Sequence, residues 1–328
     1  MLNMPAIKVQ TIAITGATGF VGKHLLDRLL QREDVALYAL AHNAPDATLR
    51  QDKRLKWIRG DLARAATLDR LLVPAGILVN LAFPADWPHE THLAATARVA
   101  QAGAERGMRR VIHCSSAVVV GRTSERQVSE TTHASPQTGY EKVKLAIEEV
   151  WHKHAIGAFE LGIARPTAVF GPHGKNLLKL AHALTAGSRT VNYVRSSLFA
   201  HRRMNLLCVR DFVAALELLI DYEMPLHGET FIVSDDGAPA NNYRDVERAL
   251  MLGMGVRDYA VAPLPVPHSA LAGLLRLMGP AKADPFRTYD SSLLTRAGWR
   301  KPCGLEQGLR EFAAWYAATC VHPGAKAL

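Results

Sequence analysis

Apolar and polar residues follow two different periods along the first half of the chain. Short, mostly apolar runs, typical of buried strands, alternate with stretches in which apolar residues recur every three or four positions, as on one face of a helix. The predicted strands are 9–15, 35–41, 55–59, 77–82, 111–115 and 159–165, and the predicted helices are 22–31, 63–72, 92–106 and 140–154. This alternation predicts an α/β fold in which helices cover both faces of a parallel sheet.

A glycine-rich turn joins the first predicted strand to the first predicted helix. It reads Thr15-Gly16-Ala17-Thr18-Gly19-Phe20-Val21-Gly22. Gly16 can adopt backbone angles closed to other residues, Gly19 leaves room for a pyrophosphate, and Gly22 lets the helix pack close to the strand. The helix N-terminus then offers free N–H groups to phosphates. An ordinary tight turn is the alternative, but the layout predicts a dinucleotide site formed by Gly16, Thr18, Gly19, Phe20, Val21 and Gly22.

The end of the second strand bears on which dinucleotide binds. In the dinucleotide fingerprint an acidic residue about twenty positions beyond the glycines holds the ribose 2′-hydroxyl, whereas a basic residue accepts a 2′-phosphate. The sequence here is Leu40-Ala41-His42-Asn43, which contains no acidic residue. His42 is a partial substitute for a basic residue. We therefore expect NAD or NADP as the cofactor, with a slight preference for NADP.

Two further strand ends fit a cofactor site. Asp61 follows the third strand in Gly60-Asp61-Leu62, where its carboxylate can accept the adenine amino group, cap the helix predicted from Ala63, or do both. The fourth strand ends in Asn80-Leu81-Ala82, where small residues let the backbone lie against a ribose.

Candidate catalytic residues follow the fifth strand. Tyr140 and Lys144 are four positions apart on a predicted helix, so their side chains share one face. A tyrosine with a pKa near ~10 is a poor base, and lowering that pKa by ~3 units requires roughly 4 kcal/mol. A nearby ammonium and an oxidised nicotinamide favour the phenolate, and Ser116 would donate a hydrogen bond to the reacting oxygen. Each residue alone could have an ordinary structural role, but together with the glycine turn they predict a catalytic group.

Taken together, these motifs resemble an extended short-chain dehydrogenase/reductase of the NAD-dependent epimerase/dehydratase type, which acts on nucleotide sugars. The resemblance covers nearly the whole chain and includes TGATGFVG, Gly60-Asp61-Leu62, Ser115-Ser116-Ala117, YEKVK at 140–144, Arg165-Pro166, Gly171-Pro172, Val209-Arg210-Asp211 and Ala297-Gly298-Trp299-Arg300-Lys301-Pro302. It implies a Rossmann-type doubly wound parallel sheet with a smaller C-terminal α/β substrate lobe. The cofactor domain would comprise 1–170 with part of 205–235, and the lobe 171–204 and 236–328.

The resemblance also implies residue roles. Ser116, Tyr140 and Lys144 would be catalytic, and Lys144 would also hold the nicotinamide ribose. The other cofactor contacts would be Asp61 and Leu62 beside adenine, Leu81 and Ala82 along the ribose, and Pro166 and Val169 behind the nicotinamide. For the nucleotide diphosphate of the substrate, the candidates are Asn176, Arg203 and Asn205. The chain departs from the family at His92, where asparagine is usual, at Val120, where tyrosine is frequent, and at Arg210, where an acidic residue is frequent.

The leading functional hypothesis is an NAD(P)-dependent nucleotide-sugar epimerase. Tyr140 would take the proton from the sugar 4-hydroxyl as hydride moves to the nicotinamide, and hydride would return to the other face of the keto sugar. Ala117 follows Ser116, where a 4,6-dehydratase would more often carry Asp-Glu, and this disfavours dehydration. The first alternative is an NADP-dependent ketone or aldehyde reductase of the same fold. A non-catalytic cofactor-binding protein is the second.

The composition of the chain limits the ligands and partners that we expect. The chain of 328 residues has a formal charge of +9, but its basic residues are dispersed, so we expect no nucleic-acid partner. No carboxylate completes a metal site with the fourteen histidines, and none is expected. The four cysteines contain no CxxC pair and are expected to be isolated thiols. Without a signal peptide or an apolar run of ~20 residues, the protein is expected in the cytoplasm, off the membrane. The family resemblance suggests a homodimer formed through 92–106 and 140–154.

Overall fold

The computed structural model describes residues 9–42, 51–267 and 284–321, which group into two compact units. The first unit contains the chain up to Ser116, Gly139–Arg165 and Leu216–Phe231. The second contains Ala117–Thr138, Pro166–Ala215 and the chain from Ile232 onward. The two units contain similar lengths of chain, because the segments 117–138 and 205–215 also group with the second unit.

A seven-stranded sheet is the largest sheet in the described chain. Its strands are β1 (Gln10–Thr15), β2 (Val35–Ala41), β3 (Leu55–Arg59), β4 (Ile77–Asn80), β5 (Arg110–Cys114), β7 (Glu160–Pro166) and β10 (Glu229–Val233). They lie in the order β10-β7-β5-β4-β1-β2-β3. The pairs β1–β2, β2–β3, β1–β4, β4–β5 and β5–β7 are all parallel. The predicted α/β fold with a parallel sheet is therefore confirmed, and the strand order reverses between β1 and β4, where open α/β sheets bind ligands.

Four helices accompany these strands in the first unit. They are α1 (Phe20–Leu29), α2 (Ala65–Leu71), α3 (His89–Glu105) and α4 (Gly139–Ala155). Their apolar faces bury a cluster that includes Val99 of α3 and Ile147 and Trp151 of α4, with Trp151 fully buried. The strand ends that carry the candidate site are therefore supported by a well-packed hydrophobic core.

The start of α2 differs from the predicted one. Arg64 has extended backbone angles and precedes the first helical residue, Ala65, so the helix begins two residues later than expected. The Asp61 carboxylate accepts the N–H of Ala63 at 2.8 Å and so closes a turn ahead of the helix. Asp61 is therefore not the N-cap of α2.

The second unit contains two small sheets and several helices. The sheets pair β6 (Gln127–Val128) with β11 (Thr288–Tyr289) and β8 (Ala168–Phe170) with β9 (Leu206–Cys208). The helices are α5 (Leu178–Ala186), α6 (Arg189–Phe199), α7 (Val209–Asp221, which continues into the first unit), α8 (Tyr243–Gly253), α9 (Ser292–Arg296) and α10 (Gly304–Tyr316). Phe170, Leu250 and Phe312 are fully buried in its core.

Two of the four cysteines are neighbours in the fold. Cys208 at the end of β9 and Cys303 just before α10 are far apart in sequence, but their thiols are hydrogen-bonded to each other. All four cysteines are free thiols, and the fold places Cys303, at the start of α10, beside Cys208 at the β9–α7 junction. The Asp211 carboxylate accepts the N–H groups of Cys303 at 2.8 Å and Gly304 at 2.9 Å, which fixes that placement.

Within the described ranges, none of the helices combines the length and the apolar character that a bilayer crossing requires.

Candidate active site

The glycine turn leaves no space for side chains at two positions. Gly16 has a φ of +67°, and a Cβ there would lie 2.9 Å from the backbone of both Leu81 and Ala82. A Cβ at Gly22 would overlap the carbonyl oxygen of Gly16. These contacts are with backbone atoms, which cannot rotate away as a side chain can. Both glycines are therefore required for the close approach of β1, β4 and α1.

The N-terminus of α1 is open to a ligand. Gly19 is its N-cap residue and has no side chain that could accept a hydrogen bond from the N–H groups of the first turn. Thr18 and Gly19 are exposed, while Phe20 and Val21 are half-buried. Free N–H groups at the positive end of a helix dipole attract phosphates. The cradle therefore fits the pyrophosphate of a dinucleotide.

Other predicted cofactor contacts lie at neighbouring strand ends of the first unit. His42 is exposed directly after β2, Asp61 is half-buried after β3, and Leu62 is buried. Leu81 and Ala82 follow β4 and are half-buried. All five residues follow strands of one parallel sheet at the edge where β1 leads into the glycine turn.

A chain of buried hydrogen bonds links the ends of β1, β4 and β5. The N–H of Ala82 donates to the Thr15 hydroxyl at 3.2 Å, and this hydroxyl donates to the side-chain oxygen of Asn80. The Asn80 amide nitrogen lies 3.0 Å from Nδ1 of His113. The three strand ends are thereby fixed relative to one another.

The structure brings the three predicted catalytic residues together. The hydroxyl of Ser116, two residues past β5, is hydrogen-bonded to that of Tyr140 in the first turn of α4. Lys144 lies one turn further along α4 and is 4% exposed. Its ammonium donates to the carbonyl oxygen of Cys114 at 3.0 Å. The residues therefore form one group that joins the end of β5 to α4.

The protein's own groups do not lower the pKa of Tyr140. Burial raises it above the ordinary value, and the hydrogen bond from Ser116 opposes that rise only in part. Burial likewise lowers the pKa of Lys144, with partial opposition from the Glu148 carboxylate. The predicted lowering of the Tyr140 pKa by Lys144 together with an oxidised nicotinamide stays a prediction.

Phe83 is a site residue that the sequence did not indicate. Its ring centroid lies 4.2 Å from Nζ of Lys144 and 5.4 Å from the ring of Tyr140, which meets it edge to face. The imidazole of His92 stacks on Phe83 at 4.2 Å. An aromatic residue shortly after Leu81-Ala82 is the only signal in the sequence, and it does not distinguish this role from core packing.

His92 occupies the position at which the family resemblance leads us to expect an asparagine. Its imidazole is uncharged in the structure. It is 5% exposed and donates one ring N–H to the carbonyl oxygen of Pro84. Burial and the nearby Lys144 ammonium both lower its pKa. An imidazole that remains uncharged here leaves Lys144 as the cation next to Phe83.

A buried ion pair follows Lys144 on α4. Glu148, 2% exposed, lies one turn beyond Lys144 and accepts a two-pronged hydrogen bond from Arg165 of β7, with one N–O distance of 3.0 Å. The guanidinium matches the carboxylate geometry and stays charged when buried. The pair fixes α4 against the sheet.

The remaining predicted residues belong to the second unit. Pro166 ends β7, and Val169 lies in β8, where its carbonyl oxygen accepts the side-chain amide of Asn176 at 2.7 Å. Arg203 donates to the carbonyl oxygen of Ala238 at 3.3 Å. Asn205 donates to Asp236 at 2.7 Å and to the carbonyl oxygen of Arg287 at 2.9 Å. All three candidate substrate residues thus hold their own unit together.

Comparison with known proteins decides the family. The profile described as "NAD dependent epimerase/dehydratase family" matches residues 12–234, a span that contains the glycine turn and all three grouped residues. The chain belongs to this family. Members of the NAD-dependent epimerase/dehydratase family are enzymes, and the resemblance deduced from the motifs is confirmed.

Individual relatives of this family member are distant. The chain is similar to a UDP-glucose 4-epimerase of Vibrio cholerae, with 24% identity, covering 93% of this chain and 94% of the relative. It is also similar to a ceramide reductase of Caulobacter vibrioides, with 26% identity and 94% of both chains covered. Among solved structures, the Bordetella bronchiseptica enzyme WbmG in complex with NAD matches with a TM-score of 0.70 and 19% identity, covering 96% of both chains. That structural match supports the fold.

Proposed function

We propose that this protein is an NAD(P)-dependent epimerase of a nucleotide-linked sugar, with Ser116, Tyr140 and Lys144 as its catalytic residues. The observation that carries this proposal is their grouping: the Ser116–Tyr140 hydrogen bond and the buried Lys144 ammonium one turn further along α4. That arrangement moves a proton at an alcohol or carbonyl oxygen. The UDP-glucose 4-epimerase relative supports the choice of substrate class.

Each residue has a distinct task in the proposed reaction. Ser116 donates a hydrogen bond to the reacting oxygen, and Tyr140 removes the proton from the alcohol and later returns it. Lys144 places a positive charge near the tyrosine, and its proximity to Phe83 limits where the ammonium can lie. When bound, the nicotinamide supplies the hydride acceptor and donor. Its oxidised ring also carries the positive charge that Tyr140 requires to ionise at neutral pH.

The glycine turn would hold the cofactor pyrophosphate at Gly16, Thr18, Gly19, Phe20, Val21 and Gly22. Asp61 and Leu62 would contact adenine, with His42, Leu81 and Ala82 along the riboses. Pro166 and Val169 remain proposed nicotinamide contacts, and Asn176, Arg203 and Asn205 remain proposed substrate contacts. The open N-terminus of α1 and the steric requirement at Gly16 and Gly22 support the pyrophosphate assignment.

The second candidate is a reductase of a non-nucleotide ketone or aldehyde. Two observations favour it: the ceramide reductase relative, and the exposed His42 at the position where an acidic residue would select NAD. Both candidates use the same catalytic group. They differ in the net reaction, because an epimerase regenerates its cofactor and a reductase consumes it.

One experiment separates the candidates. The purified protein is denatured and the released nucleotide is identified, and the native protein is then assayed with NADPH and with UDP-sugars. Retained NAD and sugar epimerisation without net NADH formation would support the epimerase. Loosely held NADPH consumed with a carbonyl substrate would overturn the epimerase in favour of the reductase. Binding without turnover of either kind would indicate the non-catalytic alternative.

We also propose a cytoplasmic homodimer that associates through α3 and α4. The support is the family resemblance of these two helices, which pack against each other in the first unit. Sedimentation equilibrium tests it: a species near 36 kDa at micromolar concentration, close to the chain mass of 35.8 kDa, would overturn the dimer.

A further inference from the structure

Two buried N–H donors of the first unit have no acceptor within the described chain. They are Nε2 of His113 on β5 and Nε1 of Trp151 on α4. His113 is 2% exposed and Trp151 is fully buried. Leaving a buried donor unsatisfied costs about 1–3 kcal/mol, so native proteins almost always provide an acceptor.

The neighbouring hydrogen bonds fix the tautomer of His113. Asn80 uses its carbonyl oxygen to accept from Thr15, and its amide nitrogen therefore faces Nδ1 of His113 as a donor. Nδ1 is then the acceptor, and the ring hydrogen of the neutral imidazole resides on Nε2. Burial and the nearby Lys144 hold the pKa of His113 well below its ordinary value, which keeps the ring neutral.

His113 and Trp151 line the same cavity. Their ring centroids are 5.9 Å apart, and the cavity that both residues line has a volume of about 20 Å³. A cavity requires roughly 10–15 Å³ of such space to hold one water molecule. The cavity therefore has room for a water molecule.

The cavity walls also provide acceptors. His92 and Thr96 of α3 line it. His92 donates through one ring nitrogen to the carbonyl oxygen of Pro84, so the other nitrogen of its neutral ring is an acceptor. A hydroxyl such as that of Thr96 can also accept. A ligand that both accepts two hydrogen bonds and donates others suits these walls, and a bare anion does not.

We propose that this cavity is a binding site for one ordered water molecule. The water oxygen accepts from Nε2–H of His113 and Nε1–H of Trp151, and its hydrogens face His92 and Thr96. The buried chain that begins at Thr15 beside the glycine turn thus continues through Asn80 and His113 to α4.

The site has a consequence for the catalytic group, which rests on the proposed function. The water connects β5, which leads to Ser116, with α4, which carries Tyr140 and Lys144. It therefore acts as a positioning element between the two halves of that group.

The water is tested directly, without reference to activity. In nuclear magnetic resonance of the full chain, the indole N–H of Trp151 should show a cross-peak to a long-lived water, and Trp151→Phe assigns that signal by its loss. Trp299 is the internal control, because its indole donates to the carbonyl oxygen of Asp211 at 3.0 Å and should show no such peak. The ¹⁵N shifts of His113 should report a hydrogen on Nε2.

A crystal structure completes the test. Electron density for one water within hydrogen-bond distance of both ring nitrogens is the expected result. An empty cavity, an anomalous peak there after a bromide soak, or a hydrogen on Nδ1 of His113 would overturn the proposal. None of these measurements depends on substrate or turnover, so failure of the water site and failure of the proposed function are distinguishable. If Trp151→Phe does not fold, the native cross-peak and the density remain decisive.

Discussion

Lys144 is a charged side chain in an almost fully buried position, and three groups make that position tolerable. The Cys114 carbonyl oxygen accepts its hydrogen bond at 3.0 Å, the Phe83 ring lies 4.2 Å from its nitrogen, and Glu148 follows one turn later. A buried ammonium without such partners would lose its proton. The position and the charge of Lys144 therefore depend on residues outside the Tyr140–Lys144 motif.

Phe83→Leu tests the aromatic contact. The leucine keeps an apolar surface but removes the cation–π attraction, which is worth about 1 kcal/mol and would lower kcat roughly fivefold. Because the ammonium is freed, the pH profile of kcat should also shift. Steady-state kinetics across pH measure both effects, with Phe83→Tyr as the control that restores the ring. Equal rates and profiles for the leucine and tyrosine variants would contradict this role.

Tyr140→Phe should abolish most of the activity and leave the fold intact. Loss of a general acid–base group lowers turnover by about 10²–10⁴-fold. The residue is 46% exposed and the substitution removes only one hydrogen bond, to Ser116, so the melting temperature should fall only slightly. Turnover and thermal unfolding are measured together, with Tyr222→Phe as a matched loss of a phenol. A near-normal rate on the true substrate would refute the assignment.

The lowered pKa of His113 determines how this residue makes the free energy of unfolding depend on pH. Its pKa in the folded state lies well below 6.5, so in acid the unfolded chain binds a proton that the folded chain does not. Stability from this residue should therefore fall by about 1.4 kcal/mol per pH unit below about pH 6.5. Urea unfolding between pH 7 and 5 measures the slope. His113→Asn should flatten it, whereas replacement of the exposed His89 should not, and an unchanged slope in His113→Asn would contradict the account.

At the scale of elements, the regular strands and helices near the sheet could be predicted from the sequence, and their exact ends could not. The strands 35–41 and 55–59 are confirmed with their predicted bounds. α2 begins later than predicted because Asp61 bonds to the N–H of Ala63 in a turn, an interaction that apolar periodicity cannot reveal. The choice of Ser116 over the adjacent Ser115 agrees with the structure, which buries Ser115 and bonds Ser116 to Tyr140.

Gly22→Ala tests the packing of α1 on the glycine turn. The new Cβ would overlap the Gly16 carbonyl oxygen, and overpacking against backbone costs about 1–3 kcal/mol. The free energy of unfolding should fall by that amount, and NAD should bind more weakly because α1 moves. Gly237→Ala is the matched control, since a Cβ there meets nothing within 4 Å. Equal stability and NAD affinity in the two variants would show that the turn can accommodate a Cβ at position 22.

For the molecule as a whole, sequence reasoning succeeded where contacts are local and repetitive. The alternation of strands and helices predicts the parallel sheet, and four-residue spacing predicts the shared face of Tyr140 and Lys144. The second unit is built from short strands and distant contacts, such as Cys208 with Cys303, that leave no periodic signal. Phe83 was missed for the same reason, because its partners come from separate elements.

Thermal unfolding with added nucleotides tests the cofactor preference of the whole protein. A ligand at about 100 times its dissociation constant stabilises the folded state by about 2.7 kcal/mol. Because the family is NAD-dependent, we expect NAD, rather than the NADP slightly favoured by the sequence at His42, to raise the melting temperature at the lower concentration. AMP, which lacks the pyrophosphate bridge and the nicotinamide, is the control. A larger shift with NADP would show that His42 selects the 2′-phosphate.

The Glu148–Arg165 pair has a consequence for electroneutrality. Lys144 and Arg165 contribute two buried cations against the single anion of Glu148, and His92 and His113 are neutral. The interior around α4 therefore carries one positive charge in excess while Tyr140 is protonated. Ionisation of Tyr140 would bring that sum to zero. Because the Glu148–Arg165 pair is itself neutral, it leaves the charge of Lys144 unbalanced, and a Tyr140 phenolate formed with the oxidised nicotinamide bound would offset that charge.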